Sequence, residues 1–264
     1  MTDLANSRAR RTVPAGALGA SPLGGAVSTG RGSSISIMRD GNNPTPPGRK
    51  VFRMSLDPHR INAENSFIGG WYLDDAGICD DLIGYFKTAP AKTQGLMSGN
   101  YGKGNLDTSG KDSIDANLPA GELATRYITV LNRVAREYAA LYSYCVKLVP
   151  WGIIEPIAIQ HYKPGGGFKI WYFERDNSDE LITKKHLAFM TYLNTVEDGG
   201  GTSFLYQGVT LRAEKGLTLI WPVEWTHTHK GEVSHTEEKY IITGWFSTYT
   251  RQEYEFIRQQ RARA

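Results

Sequence analysis

The sequence predicts an α+β chain with a β-rich core. Helical segments come first: residues 71–88 and 120–145 carry apolar positions at helical spacing. From residue 152 the pattern changes to short β-forming runs separated by Gly, Asp and Asn. Helices followed by strands define the α+β class, and regular short strands with turn signals point to a sandwich, barrel or jelly roll. The 264 residues, 40% hydrophobic and 22% charged, suffice for one domain with a sizeable core, or one domain plus tails.

Residues 1–50 are rich in Gly, Ala, Ser, Pro and Arg and show no sustained period. They can bury too little apolar surface to offset ordering entropy, so a disordered tail is expected, with the domain at 51–264. The tail holds seven basic residues against two acidic ones, which makes it +5 within a chain of +3. The basic pI therefore belongs to the tail; nucleic acid is not expected as a partner of the domain, and any contact with it would run through the tail. Cys79 and Cys145 are too few for a disulfide framework and read as reduced residues of an intracellular protein. No apolar run approaches the ~20 residues that span a bilayer, and the N-terminus lacks the apolar stretch of a secretory signal.

The domain is expected to open with a strand at "KVFRMSL". In "WYLDDAGICDDLIGYFKT", Asp75 can cap a helix whose stripe is Ile78, Leu82, Ile83 and Phe86. "NYGKGNLDTSGKDSIDANL" reads as a polar loop. "AGELATRYITVLNRVAREYAALYSYC" reads as a helix of about seven turns with Leu123, Tyr127, Val130, Leu131 and Val134 on one face. The strand runs are "IIEPIAIQHY", "FKIWYFE", "HLAFMTYLN", "TSFLY", "GVTLRAE", "LTLIWP", "WTHTH" and "KYIITGWFS"; a short charged helix closes the chain at "RQEYEFIRQQRARA".

Three strand patterns carry chemistry. At period 2, Phe168, Ile170, Tyr172 and Glu174 share a face. An inward Glu174 would need a cation, a proton or a donor; the alternative is a solvated residue just past the strand end. In "EWTHTHKG", Trp225, His227 and His229 share a face, and two imidazoles at i, i+2 can converge on a metal or lie on a polar edge. In "KYIITGWFS", Lys239, Ile241, Thr243 and Trp245 share a face. A lysine there either meets an anion, with Tyr192 as a second donor, or guards a sheet edge.

These motifs, in this order, resemble the 2-oxoglutarate/Fe(II)-dependent dioxygenases of the prolyl 4-hydroxylase type. The resemblance covers roughly residues 66–248. It rests on "YKPGGGF", "YFE", "TYLN", "GGGTSF" and "HTHKG", and on Lys239 ten residues after His229, with Trp245 following. The "GKDSID" and "FIGGWYLDDAGICDDLI" stretches resemble a subgroup common in phage and marine microbial genomes. The resemblance implies a double-stranded β-helix (jelly roll, cupin-like) with flanking N-terminal helices. It implies Fe(II), 2-oxoglutarate and O₂, with ascorbate as a further cofactor. It also implies hydroxylation of a peptide, protein or amino-acid side chain, prolyl among them, as 2-oxoglutarate is decarboxylated to succinate. Glu174 matches the metal carboxylate and His229 the distal metal histidine. Lys239, helped by Tyr192, matches the binder of the distal carboxylate, and Tyr162 matches a tyrosine near the cosubstrate.

Tyr172 stands where this family carries its first metal histidine. A neutral tyrosine, of pKa about 10, is a poor ligand for Fe(II) beside imidazole. Three readings stay open: His227, His229 and Glu174 form a rearranged triad; Tyr172 is a weak third ligand; or the chain is a pseudo-enzyme acting as a binding or virion-associated protein. His161 is a further candidate but should point away from Tyr162. A different alignment would put Trp171 and Phe173 at the ligand positions and leave Glu174 without a role.

Overall fold

The computed structural model describes residues 56–61, 66–75, 77–97, 107–147 and 149–256. The tail at 1–50, and all but Leu56 of the expected opening strand, lie outside them. The first elements are β1 (Gly69–Tyr72), α1 (Gly77–Thr88), β2 (Thr93–Gln94), β3 (Lys111–Asp112), β4 (Ile114–Asn117) and α2 (Glu122–Leu141). Next come β5 (Trp151–Gly152), β6 (Ala158–Tyr162), β7 (Gly167–Phe168), α3 (Glu180–Lys184) and β8 (Lys185–Tyr192). The last are β9 (Thr202–Phe204), β10 (Val209–Leu211), β11 (Leu217–Pro222), β12 (His229–Gly231) and β13 (Lys239–Thr248).

The main sheet is antiparallel in the order β1-β11-β8-β13-β6-β4-β2, with β5 paired to the end of β13. A second sheet, β10-β9-β12, contributes the inner wall facing it, and β3 pairs with β7. This is the expected α+β jelly roll with its helices near the N-terminus.

Alternation explains why the main sheet has two apolar faces. Leu187 and Phe189 of β8, Ile220 of β11, and Tyr240, Ile242 and Phe246 of β13 join one core with α1 and α2. The intervening Ala188, Met190, Tyr192, Leu217, Leu219, Trp221 and Ile241 join a second core inside the roll, with Phe204 and Leu211 of the small sheet. Between helix and sheet, Tyr127 Oη, Thr191 Oγ1 and Thr218 Oγ1 form a buried hydroxyl chain with links of 2.9 and 2.7 Å. Each of these three hydroxyls has a partner, as burial requires.

The Asp75 side chain accepts the Gly77 and Ile78 N–H groups at the start of α1, and also pairs with Arg126. Ile78, Leu82 and Phe86 are buried and Ile83 partly so, as the stripe predicts. Trp71 and Tyr72, however, lie in β1 rather than in the helix. On α2, Tyr127, Val130, Leu131 and Val134 are buried. The helix has 20 residues, about five and a half turns rather than seven, and a 3-10 turn at Ser143–Val146 follows it.

Other expectations change. The segment read as a loop supplies β3 and β4, and β4 pairs with both β6 and β2. Its polar residues are tolerated because these are short strands toward the sheet edge. "WTHTH" is not a strand: Trp225–His227 form a 3-10 turn, so period-2 facing fails there. "FKIWYFE" is strand only at its first residue and then touches β12 through one bridge, Tyr172 with His229. The closing helix is present at 251–256. Cys79 is buried and Cys145 partly so, and both are free thiols. Among the described residues no helix is long and apolar enough to cross a membrane.

Leu131 is fully buried between α2 and the sheet. Leu131→Ala should destabilise the fold by about 3 kcal/mol, the usual cost of a large-to-small core truncation, measured by denaturant unfolding.

Candidate metal and anion site

A cavity of about 400 Å³ opens between the two sheets. β13 offers it Lys239, Ile241, Thr243 and Trp245, the face that alternation predicts. β6 adds Gln160 and Tyr162, β9 adds Thr202, β12 adds His229, and the stretch after β7 adds Tyr172 and Glu174.

His229 and Tyr172 exchange both backbone hydrogen bonds, at 2.9 and 3.0 Å, so their side chains stand next to each other. Their ring centroids are 4.3 Å apart. His229 is buried, and its Nδ1 lies 2.8 Å from the His227 carbonyl oxygen. That bond makes Nδ1 the donor and leaves Nε2 with a lone pair. Nε2 is buried without a hydrogen-bond partner among the described residues and lies 3.4 Å from Glu174 Oε1. The other Glu174 oxygen accepts Trp245 Nε1–H at 2.9 Å. Burial alone would raise the Glu174 carboxyl. A proton or other cation shared with His229, then the Lys185 charge and the indole N–H, outweigh that and hold it below the usual range.

A lone pair facing a carboxylate at this distance calls for a shared cation. A histidine whose other nitrogen is fixed by a backbone carbonyl is the usual arrangement for a metal ligand. These two donors therefore fit a first-row divalent metal. The third position is occupied differently. Tyr172 stacks on Phe168 with ring centroids 3.7 Å apart and planes at 16°. Burial, then the Glu174 charge, push its phenol well above the ordinary tyrosine value, so it is a neutral donor rather than a phenolate. Among the described residues no group of three His, Cys, Asp or Glu side chains could hold a metal.

Lys239 is 5% exposed, and its ammonium donates to the Gly200 and Glu232 carbonyl oxygens at 2.9 and 3.3 Å. It also lies 4.8 Å from the Tyr162 ring centroid. Burial lowers its pKa to about 8. An ammonium has three N–H groups, and two neutral carbonyls do not neutralise a buried charge, so the seat suits an anion.

The Gly-rich turn builds that seat. Gly199 and Gly200 have φ of 75° and 70°. A Cβ on Gly200 would fall 2.7 Å from Val196 Cγ1, and one on Gly201 would fall 2.3 Å from the Leu211 carbonyl oxygen. Two carboxylates clasp the turn to the stretch before Lys239. Glu237 accepts the Glu197 and Asp198 N–H groups, and Asp198 accepts those of His235 and Thr236.

The cavity therefore brings together Tyr162, Tyr172, Glu174, His229 and Lys239. Tyr192 stands behind the wall, and its hydroxyl bonds Thr202 Oγ1 at 2.6 Å, so Thr202 is the hydroxyl the cavity sees. Tyr192, expected as a donor to the anion, thus reaches the cavity through Thr202. Thr202 follows the Gly run directly, which is the signal that could have found it. His227 does not line the cavity: its Nε2 bonds the Ser66 carbonyl and its Nδ1 the Thr226 hydroxyl. The rearranged His227–His229–Glu174 triad therefore does not form, because the 3-10 turn rotates His227 away. His161 stacks on Tyr240 on the opposite side of β6 from Tyr162. Trp171 and Phe173 are 42% and 38% exposed at the cavity mouth, whereas Glu174 and His229 lie inside it. Ile170 lines the same cavity as Phe168, Tyr172 and Glu174 but is 45% exposed, so it stands toward the mouth.

The fold and site together define a double-stranded β-helix with an acid–imidazole pair and a buried lysine in one cavity. Residues 157–247 match the family model described as the 2OG-Fe(II) oxygenase superfamily. No curated protein matches the chain in sequence. Among solved structures, the chain is similar to the viral collagen prolyl hydroxylase of Paramecium Bursaria Chlorella virus-1, solved with 2OG. The likeness has 19% identity and a TM-score of 0.52, over 72% of this chain and 100% of that one. It is similar to a Pseudomonas putida prolyl-4-hydroxylase at 15% identity and a TM-score of 0.52, over 68% and 92%. It is also similar to a Trichoplax adhaerens prolyl hydroxylase in complex with a hypoxia inducible factor peptide fragment. There the identity is 12% and the TM-score 0.54, over 70% and 84%. These likenesses show that the fold is the jelly roll of the 2OG oxygenases.

Because both His227 nitrogens are engaged elsewhere, His227→Ala should leave divalent-metal affinity unchanged in a Co(II) titration. His229→Ala should remove it.

Proposed function

We propose that this protein is an Fe(II)/2-oxoglutarate-dependent dioxygenase that hydroxylates a peptide or amino-acid side chain, prolyl residues among them, and releases succinate. The observation that carries the reading is one cavity holding both the His229 Nε2–Glu174 pair and the anion seat at Lys239. The family match over 157–247 supports it, and the peptide bound by the Trichoplax neighbour supports a polypeptide substrate.

His229 and Glu174 would hold the iron, with Tyr172 at the third protein position. Iron bound there supplies O₂ activation coupled to decarboxylation of the cosubstrate. The remaining roles fall to the chain itself. Lys239 pairs with the distal carboxylate of 2-oxoglutarate. Thr202, braced by Tyr192, and Tyr162 flank that carboxylate. The apolar walls at Met190, Trp221 and Ile241 limit bulk water.

The stacked, neutral Tyr172 favours a second reading, in which the pocket binds its anion but does not turn over. Anaerobic Fe(II) titration and succinate formation from 2-oxoglutarate decide between them. Near-stoichiometric iron with succinate release supports the dioxygenase. Neither event in the parent, with both gained in Tyr172→His, supports the binding protein. Failure of both proteins to bind iron would sink the ligand assignment.

Only the charged form of Lys239 attracts a carboxylate. Its pKa of about 8 in the free protein sets the pH window. The 2-oxoglutarate dissociation constant should be flat below about pH 8 and rise by up to about tenfold per unit above it, measured by calorimetry.

A further inference from the structure

One buried cation behind the cavity wall has so far entered only as a charge acting on Glu174. Lys185, the first residue of β8, is 4% exposed. Its ammonium lies 3.3 Å from the centroid of the Trp245 ring. Its charge acts on two acids, Glu155 and Glu174. Burying an ammonium is costly, and a methionine of similar length would avoid the cost. The lysine therefore needs an account.

Register explains how it gets there. β8 and β13 pair Ala188 with Trp245 and Leu187 with Phe246, and then pair Lys185, not His186, with Ser247. One residue of β8 is passed over. Strict alternation from Ala188 would place His186 on the cavity face and Lys185 on the helix face. The irregularity reverses that assignment, as a β-bulge can beside a functional site. His186 turns instead toward Trp151 of the helix-side core, with ring centroids 5.8 Å apart, and bonds the Cys145 carbonyl.

Trp245 is the link to the acid. Its Nε1–H donates to Glu174 Oε2 at 2.9 Å, while Oε1 is the oxygen 3.4 Å from His229 Nε2. The indole thus occupies one oxygen and leaves the other for a cation shared with His229. A cation on the ring face holds the indole in place and draws electron density from it, which strengthens the N–H as a donor. We propose that Lys185 is a positioning residue for Glu174, acting through Trp245: seated on the indole, it fixes the ring so that the N–H captures Oε2 and Oε1 faces His229. The orientation stands on these contacts alone, and only its consequence for metal binding rests on the dioxygenase reading.

Two measurements on the full chain test it. The chain has six tryptophans, and Trp245→Phe identifies the Trp245 indole N–H among the six proton resonances. In the parent that proton should exchange slowly with solvent. Lys185→Met should speed its exchange by about tenfold or more, and Lys185→Arg, whose guanidinium also stacks on indole, should restore protection. In Co(II) titrations, Lys185→Met and Trp245→Phe should each weaken binding by about tenfold. The double variant should lose no more than either single one, since both act through one contact. Unchanged Trp245 exchange in Lys185→Met would overturn the proposal, as would fully additive losses in the double variant. If Lys185→Met does not fold, Lys185→Gln serves in its place. A parent that binds no Co(II) but shows the indole response overturns the metal reading alone and leaves Lys185 as the residue that sets Trp245.

Discussion

The two-residue alternation of β13 is the constraint on which the rest of the structure depends. Tyr240, Ile242 and Phe246 bind the sheet to α1 and α2, while Lys239, Ile241, Thr243 and Trp245 line the cavity. β13 is flanked by β8 and β6, so its register also sets theirs. A slip of one residue would drive Lys239 into the helix-side core and Ile242 into the cavity. The apolar packing that stabilises the fold and the polar groups that define the site therefore cannot be moved separately.

Much of this was legible in the sequence, because alternation and helical spacing are local properties. Lys239 to Trp245 on one face, the α2 stripe and the Asp75 cap all follow from side-chain periodicity, and the structure bears each of them out. What escaped depends on non-local geometry. His227 and His229 look equivalent at i, i+2, yet a 3-10 turn separates their directions. Lys185 and His186 exchange faces through a register shift that only the partner strand reveals. The "GKDSID" stretch reads as loop from its polarity, and becomes strand because β6 presents an edge for it to pair with.

The site is an unusual balance of buried charge. Glu174 stays ionised inside the roll because an imidazole edge, an indole N–H and the Lys185 charge outweigh its desolvation. Lys239 has less company: two carbonyl oxygens, the Tyr162 ring and the Glu232 charge do not outweigh its burial, and its pKa falls to about 8. One end of the cavity is thus internally compensated and the other only in part. The less compensated end is where a ligand of opposite charge gains most, because it relieves a cost the fold already carries. Tyr172 adds little to either balance, being neutral and packed flat against Phe168.

The carbonyl seat of Lys239 has a consequence for how this pocket can vary. Both acceptors belong to the backbone, at Gly200 and Glu232. No side-chain replacement deletes a carbonyl oxygen, so the seat is insensitive to most changes of residue identity nearby. It is sensitive to the path of the chain, which the left-handed Gly199 and Gly200 and the clasp of Asp198 and Glu237 impose. Sequence drift around this site should therefore be wide at positions that only decorate the path, and narrow at the few that bend it.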